Sequence, residues 1–214
     1  MEEYHKIQTV YKRDPENKKR LLEGCFTLPE FEYLRGLEWV YTEKVDGTNI
    51  RVIFDGMAVE FRGKTDNASI PGILVKRLQD RFLWEIDRFK SVFQDATPKT
   101  PICLYGEGYG KSINKWGQFY RLDQDFVLFD VKVDTWWLER NNIEDVAKKF
   151  SLDVVPIIGY GTLDTMIEKV RQGFKSQWGD FPAEGIVAKP RVDLFNRKGE
   201  RIITKIKHKD FPAC

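Results

Sequence analysis

A chain of 214 residues that is 42% hydrophobic and 14% aromatic is long enough to pack one substantial core, and a single domain spanning 1–214 is the expectation. Its formal net charge of +2 sets 35 basic against 33 acidic residues, so total charge alone announces no nucleic-acid partner. No run approaches the roughly 18 apolar residues of a membrane span, the opening Met-Glu-Glu-Tyr-His-Lys lacks the apolar core of a signal peptide, and Cys25, Cys103 and Cys214 form no Cys-x-x-Cys pair or Cys/His cluster; the composition predicts a cytoplasmic monomer with free thiols, no membrane contact and no zinc.

The first feature along the chain is a basic cluster, Lys12, Arg13, Lys18, Lys19 and Arg20, which suits either a solvated face or a phosphate-binding one. Residues 39–45, 49–55 and 57–62 read as short β-strands, with Asp55-Gly56 making a tight hairpin turn between the last two. Lys44 then falls where a strand ends and a glycine-containing turn begins. Leu74, Leu78, Phe82, Ile86 and Phe89 recur at spacings of three and four, which predicts one amphipathic helix over 73–93. Further strands are expected at 102–107, 126–133, 154–158, 185–189 and 201–207, the last two joined by an Asn196-Arg197-Lys198-Gly199 turn. Asn142 is placed to cap a helix running through Phe150, and Thr162 to cap another running through Gln172, which Gly173 ends. Strands interleaved with helices without strict alternation give an α+β domain on antiparallel sheets. The C-terminal segment is again basic: Arg191, Arg197, Lys198, Arg201, Lys205, Lys207 and Lys209 stand against Asp193 and Glu200.

Lys44-Val45-Asp46-Gly47 taken alone is a weak signal, because Asp-Gly is a common turn. Its weight comes from the ordered series downstream of it: Phe61-Arg62-Gly63-Lys64, Tyr105-Gly106-Glu107-Gly108, Phe129-Asp130-Val131, Glu184-Gly185-Ile186-Val187-Ala188-Lys189 and Lys205-Ile206-Lys207. These residue types suit one chemistry. A lysine that attacks a phosphate must first lose its proton, and neighbouring cations or desolvation lower its intrinsic pKa of about 10.4. Lys189, Lys205 and Lys207 can supply such cations and neutralise charge on transferring phosphoryl oxygens, Lys205 and Lys207 projecting from one face of a strand. An exposed face of solubilising lysines is the alternative. Phosphoryl transfer from ATP also needs a divalent cation with oxygen ligands, for which Glu107 and Glu184, each beside a glycine, are candidates. His5 and His208 are too few for a histidine metal site, and Gly106-Glu107-Gly108-Tyr109-Gly110 lacks the lysine of a Walker loop.

In this order the motifs resemble those of the covalent nucleotidyltransferase superfamily, comprising ATP-dependent DNA ligases, RNA ligases and mRNA capping enzymes, over residues 43–207. The nearer match is the RNA ligase 2 and RNA-editing ligase group, because the first motif reads Glu43-Lys44-Val45-Asp46-Gly47-Thr48-Asn49, whereas DNA ligases and capping enzymes usually place arginine at the position of Asn49. The resemblance implies an ATP-grasp-like adenylyltransferase domain with two antiparallel sheets and flanking helices. It implies ATP and Mg²⁺ or Mn²⁺ as cofactors and RNA or nicked duplex ends as partner. Lys44 becomes the nucleophile that takes AMP, passes it to a 5′-phosphate and allows a 3′-hydroxyl to close the phosphodiester. By the same resemblance Glu184 binds metal, Glu107 and Arg62 engage the ribose with Glu107 also near the metal, Asn49 organises the metal's waters and the nucleotide, Phe129 stacks on adenine, Glu43 helps read it, and Lys189, Lys205 and Lys207 hold phosphates. Phe129 alternatively reads as a core residue of an apolar strand.

Asp46 stands where some relatives carry histidine, which leaves its individual role open. The chain ends seven residues after Lys207, where relatives continue into an OB-fold or a helical domain; it is expected either to be a minimal ligase or to be an excised domain, with its terminal basic clusters holding nucleic acid. The rivals are a minimal DNA nick ligase, a capping-type guanylyltransferase, and a nucleic-acid-binding relative without catalysis.

Overall fold

A computed structural model describes residues 3–17 and 20–211, so Lys18, Lys19 and Cys214 lie outside the described residues. In chain order the elements are β1 (Gln8–Thr9), β2 (Tyr11–Arg13), β3 (Leu21–Phe26), α1 (Pro29–Tyr33), β4 (Trp39–Glu43), β5 (Thr48–Phe54), β6 (Val59–Arg62), α2 (Gly72–Phe82), α3 (Ile86–Val92), β7 (Ile102–Gly110), α4 (Gly117–Tyr120), β8 (Gln124–Val133), β9 (Trp136–Trp137), α5 (Arg140–Lys149), β10 (Asp153–Val154), β11 (Ile157–Gly161), α6 (Leu163–Gln172), β12 (Gly185–Pro190) and β13 (Thr204–Lys207). They form two compact units, one holding Tyr4 and Asp46–Val155, the other His5–Val45 and the chain from Pro156 onward. None of the described helices is long and apolar enough to cross a membrane.

The unit that contains Asn49 is built on a sheet of order β10-β8-β7-β5-β6, with β9 added to the end of β8. Alternation along β5 sends Ile50, Val52 and Phe54 to one face, where Leu104, Phe126 and Leu128 of the neighbouring strands meet Leu74, Leu78 and Phe82 of α2, Phe89 of α3 and Ile143 and Val146 of α5. Each such side chain taken from water contributes about 1.5–3 kcal/mol. The other face of the same strands is mixed: Asn49, Arg51 and Glu107 share it with the buried Ile53, Cys103, Tyr105 and Val127. The single helix expected over 73–93 is broken at Leu83–Glu85, although no Gly or Pro marks the break. It allows Phe89 to pack on Phe54 (5.0 Å between ring centroids) and on Phe150 (4.4 Å). Helix α5 starts before Asn142, with Glu139 at its cap and no side-chain cap bond, so the expected Asn142 cap is not formed.

The unit that contains Lys44 has a sheet of order β1-β13-β12-β4-β11, a separate β2–β3 hairpin, and α6 over one face. Leu163, Met166, Ile167 and Val170 of α6 share a core with Trp39, Tyr41, Ile186, Ala188 and Ile206. Thr162 caps α6 by accepting from the Thr165 amide, and Gly173 (φ +76°) ends it, both as the sequence predicts. The expected 154–158 strand is two strands, β10 and β11, interrupted at Pro156, and they fall in different sheets. Both sheets are antiparallel apart from one parallel edge pair each, β1 with β13 and β10 with β8. Cys25 and Cys103 are free thiols.

Candidate active site

Within the Lys44 unit, the centre of interest is the end of the sheet where β12 begins. β12 lies between β4 and β13, pairing Ile186 with Glu43 and Gly185 with Lys207. Lys44, one residue past β4, keeps its backbone N–H on the Gly185 carbonyl (2.9 Å), and the Glu184 carbonyl accepts from the His208 amide (3.0 Å). Glu184 therefore stands between two lysines supplied by the flanking chains. Its Oε2 takes Lys44 Nζ at 2.6 Å and its Oε1 takes Lys207 Nζ at 2.5 Å. Burial pushes the Glu184 carboxyl up, and the charge of Lys44 together with the Lys207 bond outweighs this, holding the carboxyl below the usual range. Gly185 is obligatory here, since a Cβ would lie 2.2 Å from the Ile206 carbonyl oxygen.

Lys205 and Lys207 alternate with the buried Thr204 and Ile206, so both project from the face away from the core, as their spacing predicts. Lys189 shares that face on β12 and is drawn to Asp193 (2.8 Å). Glu43 goes the other way. Alternation along β4 turns it to the core side at 1% exposure, where its carboxylate accepts from Ser176 Oγ (2.6 Å) and the Gln177 amide (2.8 Å). Burial raises the Glu43 carboxyl, and those two bonds offset it only in part. Glu43 thus anchors the 176–177 loop and does not join Lys44 on the lysine face.

In the other unit, Asn49 of β5 is directly opposite Glu107 of β7 on the face away from the aromatic core. Gly47 lets these strands approach, for a Cβ there would meet the Gly108 carbonyl oxygen at 2.2 Å and Glu107 Cγ at 2.7 Å. The glycine of the first motif is therefore a packing requirement as well as a turn. Asn49 Oδ1 is buried with no hydrogen-bond partner among the described residues. Arg62 is bound by Glu60 through two bonds (2.8 and 3.0 Å) and by Asp66 (3.1 Å). Phe129 sits at a register shift where β8 skips a residue against β7, and Leu128 and Val131 both remain in the core. The bulge leaves Phe129 and Asp130 together on Tyr4, the ring edge-on at 5.2 Å and the Tyr4 hydroxyl donating to Asp130 at 2.5 Å. Phe129 is half-buried, away from the helix-covered core.

Several neighbours of these residues escape sequence reasoning. Arg51, fully buried, donates to the Gly63 carbonyl (2.9 Å) and to Asp66 (2.7 Å), placing the loop after Arg62. Asn114 Nδ2 holds Asp46 Oδ1 (3.0 Å) and the Gly47 carbonyl (2.8 Å), and the Tyr120 hydroxyl accepts from the Asp46 amide (3.2 Å).

Among known proteins, a family model described as RNA ligase matches residues 37–207. A Naegleria gruberi RNA ligase mutant with ATP and Mn superposes with TM-score 0.67 at 18% identity, covering 97% of this chain and 56% of that one. A second such mutant with ATP and Mn gives 0.63 at 19% (86% and 54%), and one with AMP and Mn gives 0.63 at 18% (94% and 55%). The chain spans about half the length of these structures, and at such identities the likeness carries the α+β fold alone.

Proposed function

We propose that this chain, which belongs to the RNA ligase family, is an ATP-dependent polynucleotide ligase that joins 3′-hydroxyl and 5′-phosphate ends, RNA ends by preference, through AMP carried on Lys44. The observation that carries the reading is the pair of ammonium groups, Lys44 and Lys207, sharing the Glu184 carboxylate. In the first step the Lys44 amine, its proton lost, forms a bond to the α-phosphorus of ATP as the bond to pyrophosphate breaks. A 5′-phosphate oxygen then takes the AMP and frees Lys44. Attack of a 3′-hydroxyl on that activated phosphorus releases AMP and leaves the phosphodiester. Lys189, Lys205 and Lys207 neutralise the phosphate oxygens, Phe129 presents a ring for the adenine, and Glu107 with Arg62 takes the ribose, Arg62 exchanging one of its carboxylate partners. Glu43 acts indirectly, through the 176–177 loop it anchors.

The Naegleria gruberi structures hold Mn with ATP or AMP, and the residues of this chain suit a hard divalent cation. In the Lys44 unit Glu184 offers carboxylate oxygens; in the other unit Glu107 does so, and Asn49 Oδ1 is there a buried acceptor without a donor among the described residues, the kind of group that a metal-bound water or a nucleotide hydroxyl satisfies. Mg²⁺ keeps several waters and takes one or two carboxylates beside substrate phosphates. When bound, such a cation would stabilise charge on the transferring phosphate and compete with Lys44 for Glu184. Substrate preference is tested on matched nicked duplexes that differ only in the last two sugars of the 3′-hydroxyl strand. Fast sealing with ribose and slow sealing with deoxyribose is expected; equal rates or a DNA preference would overturn the RNA assignment and leave the lysyl-AMP step standing.

A further inference from the structure

Between β7 and β8 the chain makes a loop whose construction goes beyond connecting two strands. Trp116 and Phe119 are 44% and 47% exposed, and their rings pack together with centroids 5.3 Å apart. Lys115 Nζ lies 5.7 Å from the Trp116 ring centroid. Lys111, Lys115 and Arg121 are the charged residues of 111–122, and no carboxylate falls in that stretch. The next acid, Asp123, is already bound by Arg121 through two bonds (2.6 and 2.9 Å).

The loop is tightly built. Gly110 (φ +120°) and Gly117 pack backbone on backbone, a Cβ on Gly117 falling 1.9 Å from the Gly110 carbonyl oxygen, and Gln124 Nε2 donates to the Lys111 carbonyl (2.9 Å). Underneath, Tyr120 packs edge-on against Tyr109. Asn114 and Tyr120 bind Asp46 and Gly47, so the loop is fixed to the chain segment two and three residues beyond Lys44 in sequence. A close-packed loop that presents two large aromatics to water, with cations and no acid of its own, Asp46 being held by Asn114 and Asp123 by Arg121, has the make-up of a base-stacking surface. In the terminal basic clusters, by comparison, Arg13 is paired with Asp210, Arg191 with Glu38 and Lys207 with Glu184.

We propose that the 111–122 loop is a docking platform for an unpaired nucleotide of the strand being joined, its base stacked on Trp116 and its phosphates held by Lys111 and Lys115. The proposal rests on the reading of the chain as a polynucleotide ligase and names where the strand is gripped. Stacking tolerates any base, so the platform confers grip without sequence choice.

The test measures binding of a short fluorescein-labelled oligouridylate to the full chain and to Trp116→Ala, Trp116→Phe and Lys115→Ala variants across a salt series, with AMP-adduct formation followed in each. Trp116→Ala is expected to weaken binding about 5- to 150-fold, the range covered when a base-stacking aromatic is truncated, and Trp116→Phe to stay near the native affinity. Lys115→Ala should reduce the slope of log affinity against log salt by about 0.7, the value for one single-strand phosphate contact. All variants should form the adduct as the native protein does. Native binding in Trp116→Ala, or an altered oligomeric state with RNA affinity untouched, would overturn the platform, as would a native chain with no affinity for the oligonucleotide. An absent adduct with normal, Trp116-dependent binding would instead sink the ligase reading alone.

Discussion

In the unit that carries Lys44, two carboxylates around β12 hold ammonium groups and a third is enclosed by neutral donors: Glu184 holds Lys44 and Lys207, Asp193 holds Lys189, and Glu43 accepts from Ser176 and the Gln177 amide. On the sheet face that carries Asn49, a buried amide oxygen has no donor among the described residues, and Phe129 is pushed by a bulge to a half-buried position. The contrast separates two kinds of preparation. One region stores charge in a fixed arrangement, two ammoniums to one carboxylate, that an anionic ligand can complete; the other holds groups that a ligand must satisfy. Loss of a residue from the first should remove chemistry, and loss from the second should weaken recognition.

The largest effects are therefore expected at Glu184 and Lys207. Glu184→Ala leaves two lysines without their shared carboxylate, and Lys207→Ala removes a phosphate-neutralising charge. Each is expected to abolish ligation while circular dichroism remains native. Full activity would remove that residue from the site, and collapse of the fold would assign it to structure. Next comes Gly47→Ala, in which the added methyl must displace the Gly108 carbonyl or Glu107; a stability loss of about 1–3 kcal/mol in denaturant unfolding, with reduced activity, is expected. A Gly47→Ala protein as stable as the native one would contradict the close approach. Phe129→Ala, on the recognition side, should raise the ATP requirement of adduct formation with less effect on its rate at saturation. A fall in rate without a change in ATP requirement would blur the contrast.

The smallest effect is in pH dependence, and the two carboxylates of the Lys44 unit carry opposite signs. The folded pKa of Glu184 is depressed, so its contribution is present above the ordinary carboxylate value of 4.5 and is lost as pH falls through the folded value. That of Glu43 is raised, so its contribution is present below the ordinary value and is lost as pH rises through the folded one. Measured between pH 4 and 7, Glu184→Gln should lose Tm relative to the native protein as pH rises, whereas Glu43→Gln should gain. Parallel profiles for the two variants would mean that these carboxylates do not differ in the way their surroundings require.

Strand alternation alone made the shared face of Lys205 and Lys207 legible, and β13 bears it out by burying Thr204 and Ile206 on the opposite face. Alternation from β4, applied strictly, would also have turned Glu43 away from that face, a consequence its place beside Lys44 obscured. The partners of Arg51, Asn114 and Tyr4 were not legible, for each is fixed by a contact with residues brought near only by folding. The break between α2 and α3 had no Gly or Pro to announce it, since the unbroken periodicity of Leu74, Leu78, Phe82, Ile86 and Phe89 serves two helices as well as one. The bulge at Phe129 likewise becomes visible only once the register of β7 against β8 is known.

The central claim is that Lys44 carries AMP, and intact mass after incubation with ATP and Mg²⁺ tests it most directly. The native chain is predicted to gain the mass of one AMP and to lose it on adding pyrophosphate, while Lys44→Ala gains nothing yet still seals, at least in part, a strand supplied with a pre-adenylylated 5′ end. A normal adduct in Lys44→Ala, or none in the native chain, would contradict the account.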